Sequence, residues 1–178
     1  SGLGTTTLAS YGIFLQLTGF SYMVIDGPTL GSSPLLGESY GSNRINKFKR
    51  IYHNAFFSGI LTAIFFTMIY FVFGKNLISL ITNIETIRLE SYKYIYIVSL
   101  IPIISVLSFQ LDGAFSGMLK TKEMRNTMIF SSVMYFISIF TLTKIFGNYG
   151  VWISYSIFAL LRGVSMNYYM KKIIKNLY

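Results

Sequence analysis

Long apolar runs separated by short charged stretches set the pattern of this chain. A helix needs about 20 apolar residues to cross a bilayer core, and residues 3–25 carry no charge. Residues 55–73 form a second such run, with its helix starting near Ile51. Residues 94–111, 127–143 and 151–170 follow, the last interrupted by Arg162. The pattern predicts five spans, at about 5–40, 51–73, 94–119, 127–146 and 151–170, in a single membrane domain over 1–178. The runs are rich in Ile, Phe, Tyr and Val, which favour strands in water. A membrane strand needs only about 9–11 residues with in–out alternation, and residues 60–73 (ILTAIFFTMIYFVF) do not alternate. The expected fold is an all-α polytopic membrane bundle.

Composition agrees. Of 178 residues, 53% are hydrophobic and 12% charged, and mean hydropathy is +0.56. A soluble domain carries about twice that charged fraction, so a water-soluble globule is excluded. Fifteen Lys and Arg against six Asp and Glu leave a net charge of +9. In a soluble protein that excess would suggest nucleic acid. In an apolar chain the retention of Lys and Arg on the cytoplasmic side explains it, and no nucleic-acid partner is expected. No Cys is present, so there is neither a disulfide framework nor a thiolate site. Ser1 is not an initiator Met, which points to a piece of a longer chain. The first apolar run is too long for a signal peptide, and no Arg-rich transit segment precedes it.

The connections set the orientation. Arg44, Lys47, Lys49 and Arg50 follow span one; Lys120, Lys122 and Arg125 follow span three; Lys171, Lys172 and Lys175 follow span five. The other side carries Lys75, then Arg88 and Lys93 diluted by Glu85 and Glu90, and Lys144 alone. Span one should therefore run inward and the C-terminus should be cytoplasmic, in a multi-pass protein of the plasma (inner) membrane. The basic loops are read as topological, with an anionic-lipid site as the alternative.

Span one is too long for one crossing: residues 5–40 as one helix would exceed 50 Å at about 1.5 Å per residue. Either it projects into the cytoplasm or it breaks at Asp26-Gly27-Pro28. Pro28 lacks a backbone donor and disfavours helix at Gly27, so a kink is expected there. Gly27 with Gly31, and Ser33 with Gly37 and Gly41, recur at four-residue spacing, as helices packing closely in lipid require.

Polar groups inside spans are the candidates for chemistry. Asp26 lies among apolar neighbours, where a carboxylate is costly unless paired, protonated or hydrated. It is either a functional group or a partner for backbone freed by Pro28. Asp112 closes the run SLIPIISVLSFQLD eight residues before Lys120. It either snorkels to the interface or stays buried beside Gln110, in a span that Pro102 can bend. Arg162 needs a counter-carboxylate inside the bundle or must snorkel outward. Spans three and five share a direction, so a pair between Asp112 and Arg162 is geometrically allowed. Gln16, Tyr22, Tyr135 and Asn167 add hydrogen-bonding capacity, each more often helix–helix glue than ligand site. With Phe and Tyr so abundant, any cavity should be lined by aromatic groups, which suit amphipathic or cationic organic molecules.

Several chemistries lack their residues. There is no phosphate-binding Gly-rich loop for ATP hydrolysis, and His53 alone without Cys builds no zinc or haem site. No pair of acidic clusters is present to hold a metal–diphosphate, and no Ser has a His and carboxylate to work with. An enzyme is not expected, nor is a cofactor.

Three stretches carry a resemblance. Residues 22–44 (YMVIDGPTLGSSPLLGESYGSNR) resemble a span ending in small residues and a Gly-rich exit before a basic loop. Residues 109–128 (FQLDGAFSGMLKTKEMRNTM) are similar to a "D-G-x-x-x-G … R-x-x-x-M-R-N" junction, and residues 147–163 (GNYGVWISYSIFALLRG) to a final "G-x-x-G-L-W … L-L-R-G" span. In this order they resemble the multidrug and toxic compound extrusion (MATE) family in its DinF-like branch. The resemblance implies a twelve-helix antiporter of two six-helix lobes that exports organic, often cationic, compounds in exchange for Na⁺ or H⁺. The five spans would be the last five helices of the second lobe. The partners would be membrane lipid, a small organic substrate and the missing N-terminal lobe of the same polypeptide. Asp26 and Asp112 carry over as cavity carboxylates and Arg162 as their partner within the bundle. Asp112 sits about one turn from the acidic cation ligand of related branches, and Lys120-Thr121 stands where many relatives have Arg-Gly or Arg-Thr. The alternatives are a lipid-linked oligosaccharide flippase of the same superfamily and a non-transporting membrane scaffold.

Overall fold

The structure, a computed structural model, describes residues 4–175, and every element among them is helical: α1 (Thr5–Gly41), α2 (Ile45–Ile81), α3 (Glu85–Ser99), α4 (Ile101–Gly117), α5 (Thr121–Phe146) and α6 (Asn148–Lys175). Span boundaries differ from expectation mainly by extension, because a helix continues through polar residues beyond the apolar run that starts it. α2 begins among the basic residues of the first loop and runs for 37 residues.

The third expected span is two helices. α3 and α4 meet at Leu100 with a bend of 48°. The proline predicted to bend this span, Pro102, stands in the first turn of α4, and the break falls just before it. Pro102 has no N–H for the carbonyl of Val98, and its ring crowds that carbonyl. Leu100 N–H turns instead to Ile97 O at 3.3 Å, and α4 restarts with Ile104 N–H on Leu100 O at 3.1 Å.

Of the two possibilities for span one, the helix continues through Asp26-Gly27-Pro28: Pro28 and Pro34 both stand inside one 37-residue helix. α2, α3 and α4 all pack along α1. The carbonyl that Pro28 leaves without its helical donor is that of Val24; the next one, Ile25 O, accepts Gln110 Nε2 of α4 at 3.4 Å. α1 is therefore roughly 55 Å long and projects beyond the bilayer core.

Two chain reversals share one design. Asn43 and Leu119 adopt left-handed backbone (φ 57° each), so Arg44 N–H reaches Ser39 O and Lys120 N–H reaches Phe115 O, each at 2.9 Å. This closes the last turns of α1 and α4 on themselves. Gly147 (φ 55°) reverses the chain between α5 and α6, and Gly150 lies directly on the Leu142 carbonyl, so the two helices run back to back.

Packing follows lipid rules. α5 buries only Thr127 and Ser131, while Ile129, Phe130, Val133, Phe136, Ile137 and Phe140 are exposed. In water that arrangement would be inverted; in hydrocarbon there is no drive to hide apolar groups, and small polar residues pack the interfaces. α1, α2 and α5 are each long and apolar enough to cross a membrane, and the bent α3–α4 pair supplies a fourth candidate. α6, expected as the fifth, has 28 residues but falls outside that set, since its window carries Ser, Asn and Arg162.

Two apolar clusters close the ends. Phe14, Tyr70, Ile95, Val98 and Trp152 centre one, where Trp152 meets Tyr11 and Phe14 edge-on at 5.2 and 5.3 Å. Leu36, Phe48, Phe115, Met118, Met166 and Met170 centre the other. The second end gathers all three basic segments: Lys120 Nζ sits 5.6 Å from the Tyr40 ring, and Lys47 pairs with Glu38 at 2.8 Å.

α1 and α4 touch backbone to backbone. Gly113 lies against Thr29, and Gly117 against both the Ser33 carbonyl and Gly37. Of the small residues singled out on α1, Ser33 and Gly37 take part; Gly27, Gly31 and Gly41 face open space. Gly117 is the partner of both, and Gly113, four residues earlier on the facing helix, meets Thr29. A Cβ on Gly117 would fall on the Ser33 carbonyl oxygen, which has nowhere to move. Gly117→Ala should therefore lower stability by about 1–3 kcal/mol, read as an earlier thermal transition in detergent. Gly31→Ala, with no atom near its added methyl, should leave that transition unchanged or raise it slightly.

Candidate substrate and ion cavity

The close crossing of α1 and α4 lines up two polar faces. On α1, Asp26, Thr29, Leu30 and Ser33 follow the i, i+3, i+4, i+7 pattern of one helix face. Phe109, Asp112, Gly113 and Ser116 repeat it on α4. With Met124 of α5 and Arg162 of α6 they line an open cavity of about 340 Å³.

Arg162 Nη2 donates to Asp112 Oδ1 at 2.7 Å, with the two side chains 22% and 23% exposed. This is one hydrogen bond of the five a guanidinium can donate. Arg162 Nε is enclosed and has no partner. Asp26, half-buried on the same cavity, takes part in no hydrogen bond or ion pair among the described residues. With both carboxylates ionised the wall carries two negative charges and one positive. Such an arrangement attracts a cation and holds a second, tethered cation in reserve.

Of the predicted site residues, Asp26, Asp112 and Arg162 share this cavity, and Gln110, Tyr22 and Gln16 do not line it. Gln110 is buried against Ile25 O and Gly59, whose missing side chain leaves room for the amide. It ties α4 to α1 and α2. Tyr22, one turn from Asp26, bonds Tyr155 at 2.9 Å and Ser105 at 3.3 Å, and its ring lies 4.6 Å from that of Phe109. It thereby braces a cavity wall from behind. Gln16 is exposed on α1 and borders a separate apolar groove against α2. Pro28 stands half-buried beside the cavity without contributing a break.

The aromatic lining expected of any cavity belongs elsewhere. Phe109 is the one aromatic group on the charged cavity, whereas Tyr135, Phe136, Tyr155 and Phe158 line a distinct space of about 260 Å³ between α5 and α6. Thr29, Ser33, Gly113 and Ser116 are cavity residues that the sequence reading passed over. The available signal was their three-, four- and seven-residue spacing from the two carboxylates. Among the described residues, no group of three His, Cys, Asp or Glu side chains could hold a metal ion.

A helical bundle with long apolar helices and a charged cavity inside defines a polytopic membrane protein. The profile of the MatE family matches residues 1–149, and the chain belongs to that family, whose members are membrane transporters. The DNA damage-inducible protein F of Escherichia coli (strain K12) is 26% identical over 164 residues, which cover 92% of this chain and 36% of that protein. The chain thus spans about a third of the length of the curated relative it matches. Asp26 and Asp112 fall inside the family match, and Arg162 lies beyond its end.

The pair makes a stability prediction. Arg162→Gln leaves Asp112 without its counter-charge, and Asp112→Asn does the same to the guanidinium. Each should destabilise the fold. The double variant should recover part of the loss, with a coupling of about 1–3 kcal/mol in a thermal double-mutant cycle. Strictly additive losses would show that the contact contributes nothing.

Proposed function

We propose that this chain forms most of the C-terminal lobe of a cation-coupled antiporter that exports organic cations, driven by H⁺ or Na⁺. The observation that carries the reading is the cavity itself: two carboxylates and one arginine on three helices, enclosed in an apolar bundle where unpaired charge is costly. Charge retained at such depth is explained by a cargo that needs it. Export would proceed by alternating access, with this lobe rocking against an N-terminal lobe of the same polypeptide. A proton on a cavity carboxylate, or Na⁺ beside it, removes charge from the wall and shifts the balance between inward- and outward-open states. The collection of basic residues at one end of the bundle supports a cytoplasmic position for that end, and with it a cytoplasmic C-terminus in the plasma membrane.

The test is export from vesicles reconstituted with the intact transporter and an imposed proton or sodium gradient. Asp26→Asn and Asp112→Asn, at unchanged protein level, should each slow export by about tenfold or more, the scale of a typical coupling between sites. Parent-like export from either variant would remove that carboxylate from the mechanism. Parent-like export from both would leave the cavity without a transport role.

A further inference from the structure

Within the charged cavity, Arg162 is the one basic group. A permanent charge inside a span is costly unless it is paired or put to use. A guanidinium stays protonated at every physiological pH, so Arg162 contributes +1 whatever the coupling ion does. It spends one N–H on Asp112 and leaves Asp26 unpaired on the facing helix. The wall therefore offers one uncompensated carboxylate, in a space of about 340 Å³ that admits one small organic molecule.

We infer that Arg162 is a specificity-determining residue: by cancelling Asp112 it sets the cavity to accept organic monocations and to reject dications. This inference rests on the export reading given above. The physical reason is charge count among partly buried groups on one wall. At a net charge of −1 a monocation neutralises the cavity, whereas a dication leaves one positive charge uncompensated in the cavity that the guanidinium lines. Without Arg162 the count becomes −2, and the preference should invert.

Two nearly isosteric ions separate charge from size: 1-methyl-4-phenylpyridinium, with one positive charge, and 1,1′-dimethyl-4,4′-bipyridinium, with two. Their export rates are compared in vesicles carrying the intact transporter. The parent should export the monocation faster. Arg162→Gln should shift the rate ratio toward the dication by about tenfold or more, the effect of one unit charge at a few ångströms in a protein environment. Arg162→Lys, which keeps the charge, should retain the parent ratio. Asp112→Asn combined with Arg162→Gln returns the count to −1, so whatever export remains should again favour the monocation. That pairing serves where Arg162→Gln alone fails to fold, since it leaves no uncompensated charge on α4. A ratio left within twofold of the parent by Arg162→Gln overturns the inference, as does a dication preference in the double variant or in Arg162→Lys. Export of neither ion by the parent overturns the export reading together with the inference. Export of both with an unmoved ratio overturns the inference alone.

Discussion

Everything at the cavity depends on how closely α1 and α4 approach. Gly113 and Gly117 present bare backbone to Thr29, Ser33 and Gly37, so the helices meet without an intervening layer of side chains. That contact sets the register in which Asp26 and Asp112 open on one space. In lipid no hydrophobic drive pulls helices together, so contact between small residues and a few polar bonds must hold them. Gln110 on Ile25 O and the Tyr22–Tyr155–Ser105 group supply such bonds beside the charged wall. Close packing and a charged cavity are thus neighbours along the same two helices.

The distribution of polarity gives the bundle two unlike sides. α5 turns nearly all its apolar surface outward and meets the rest of the fold mainly through α6. α1, by contrast, is enclosed by three neighbours. The proline positions reflect this difference. Pro28 and Pro34 lie inside one unbroken helix packed by three neighbours, whereas Pro102 stands in the first turn after the bent junction at Leu100. A missing N–H is the same local defect in each case; only at Pro102 does it coincide with a helix boundary.

Much of the architecture was legible in the sequence because lipid imposes long helices on any apolar run of sufficient length. Fold class and the sites of chain reversal followed from run length and charge. Pro102 made a bend in the third segment legible, but not that the segment divides into two helices at Leu100, which no charge or glycine marks. The cavity was legible only in part. Charges buried in apolar runs stand out against a 12% charged background, which singled out Asp26, Asp112 and Arg162. Gln16 and Gln110 are polar in the same way, yet one faces outward and the other is spent on a backbone carbonyl. A polar side chain in a span marks a need for a partner, and the sequence does not say whether that partner is lipid headgroup, backbone or cargo. The glycines were legible as a spacing but not as a pairing. Gly27, Gly31 and Gly41 share the period of Ser33 and Gly37 and touch nothing, because contact depends on what the facing helix presents.

Trp152 is the single tryptophan of the chain, 6% exposed and wedged edge-on between Tyr11 and Phe14, where the start of α6 meets α1. The emission of an indole shifts with the polarity and mobility of its surroundings. Any motion that separates α6 from α1 would wet this ring and move its spectrum to the red. The chain thus carries a built-in optical reporter on the seam between its first and last helices, distant from the charged cavity and readable without a label.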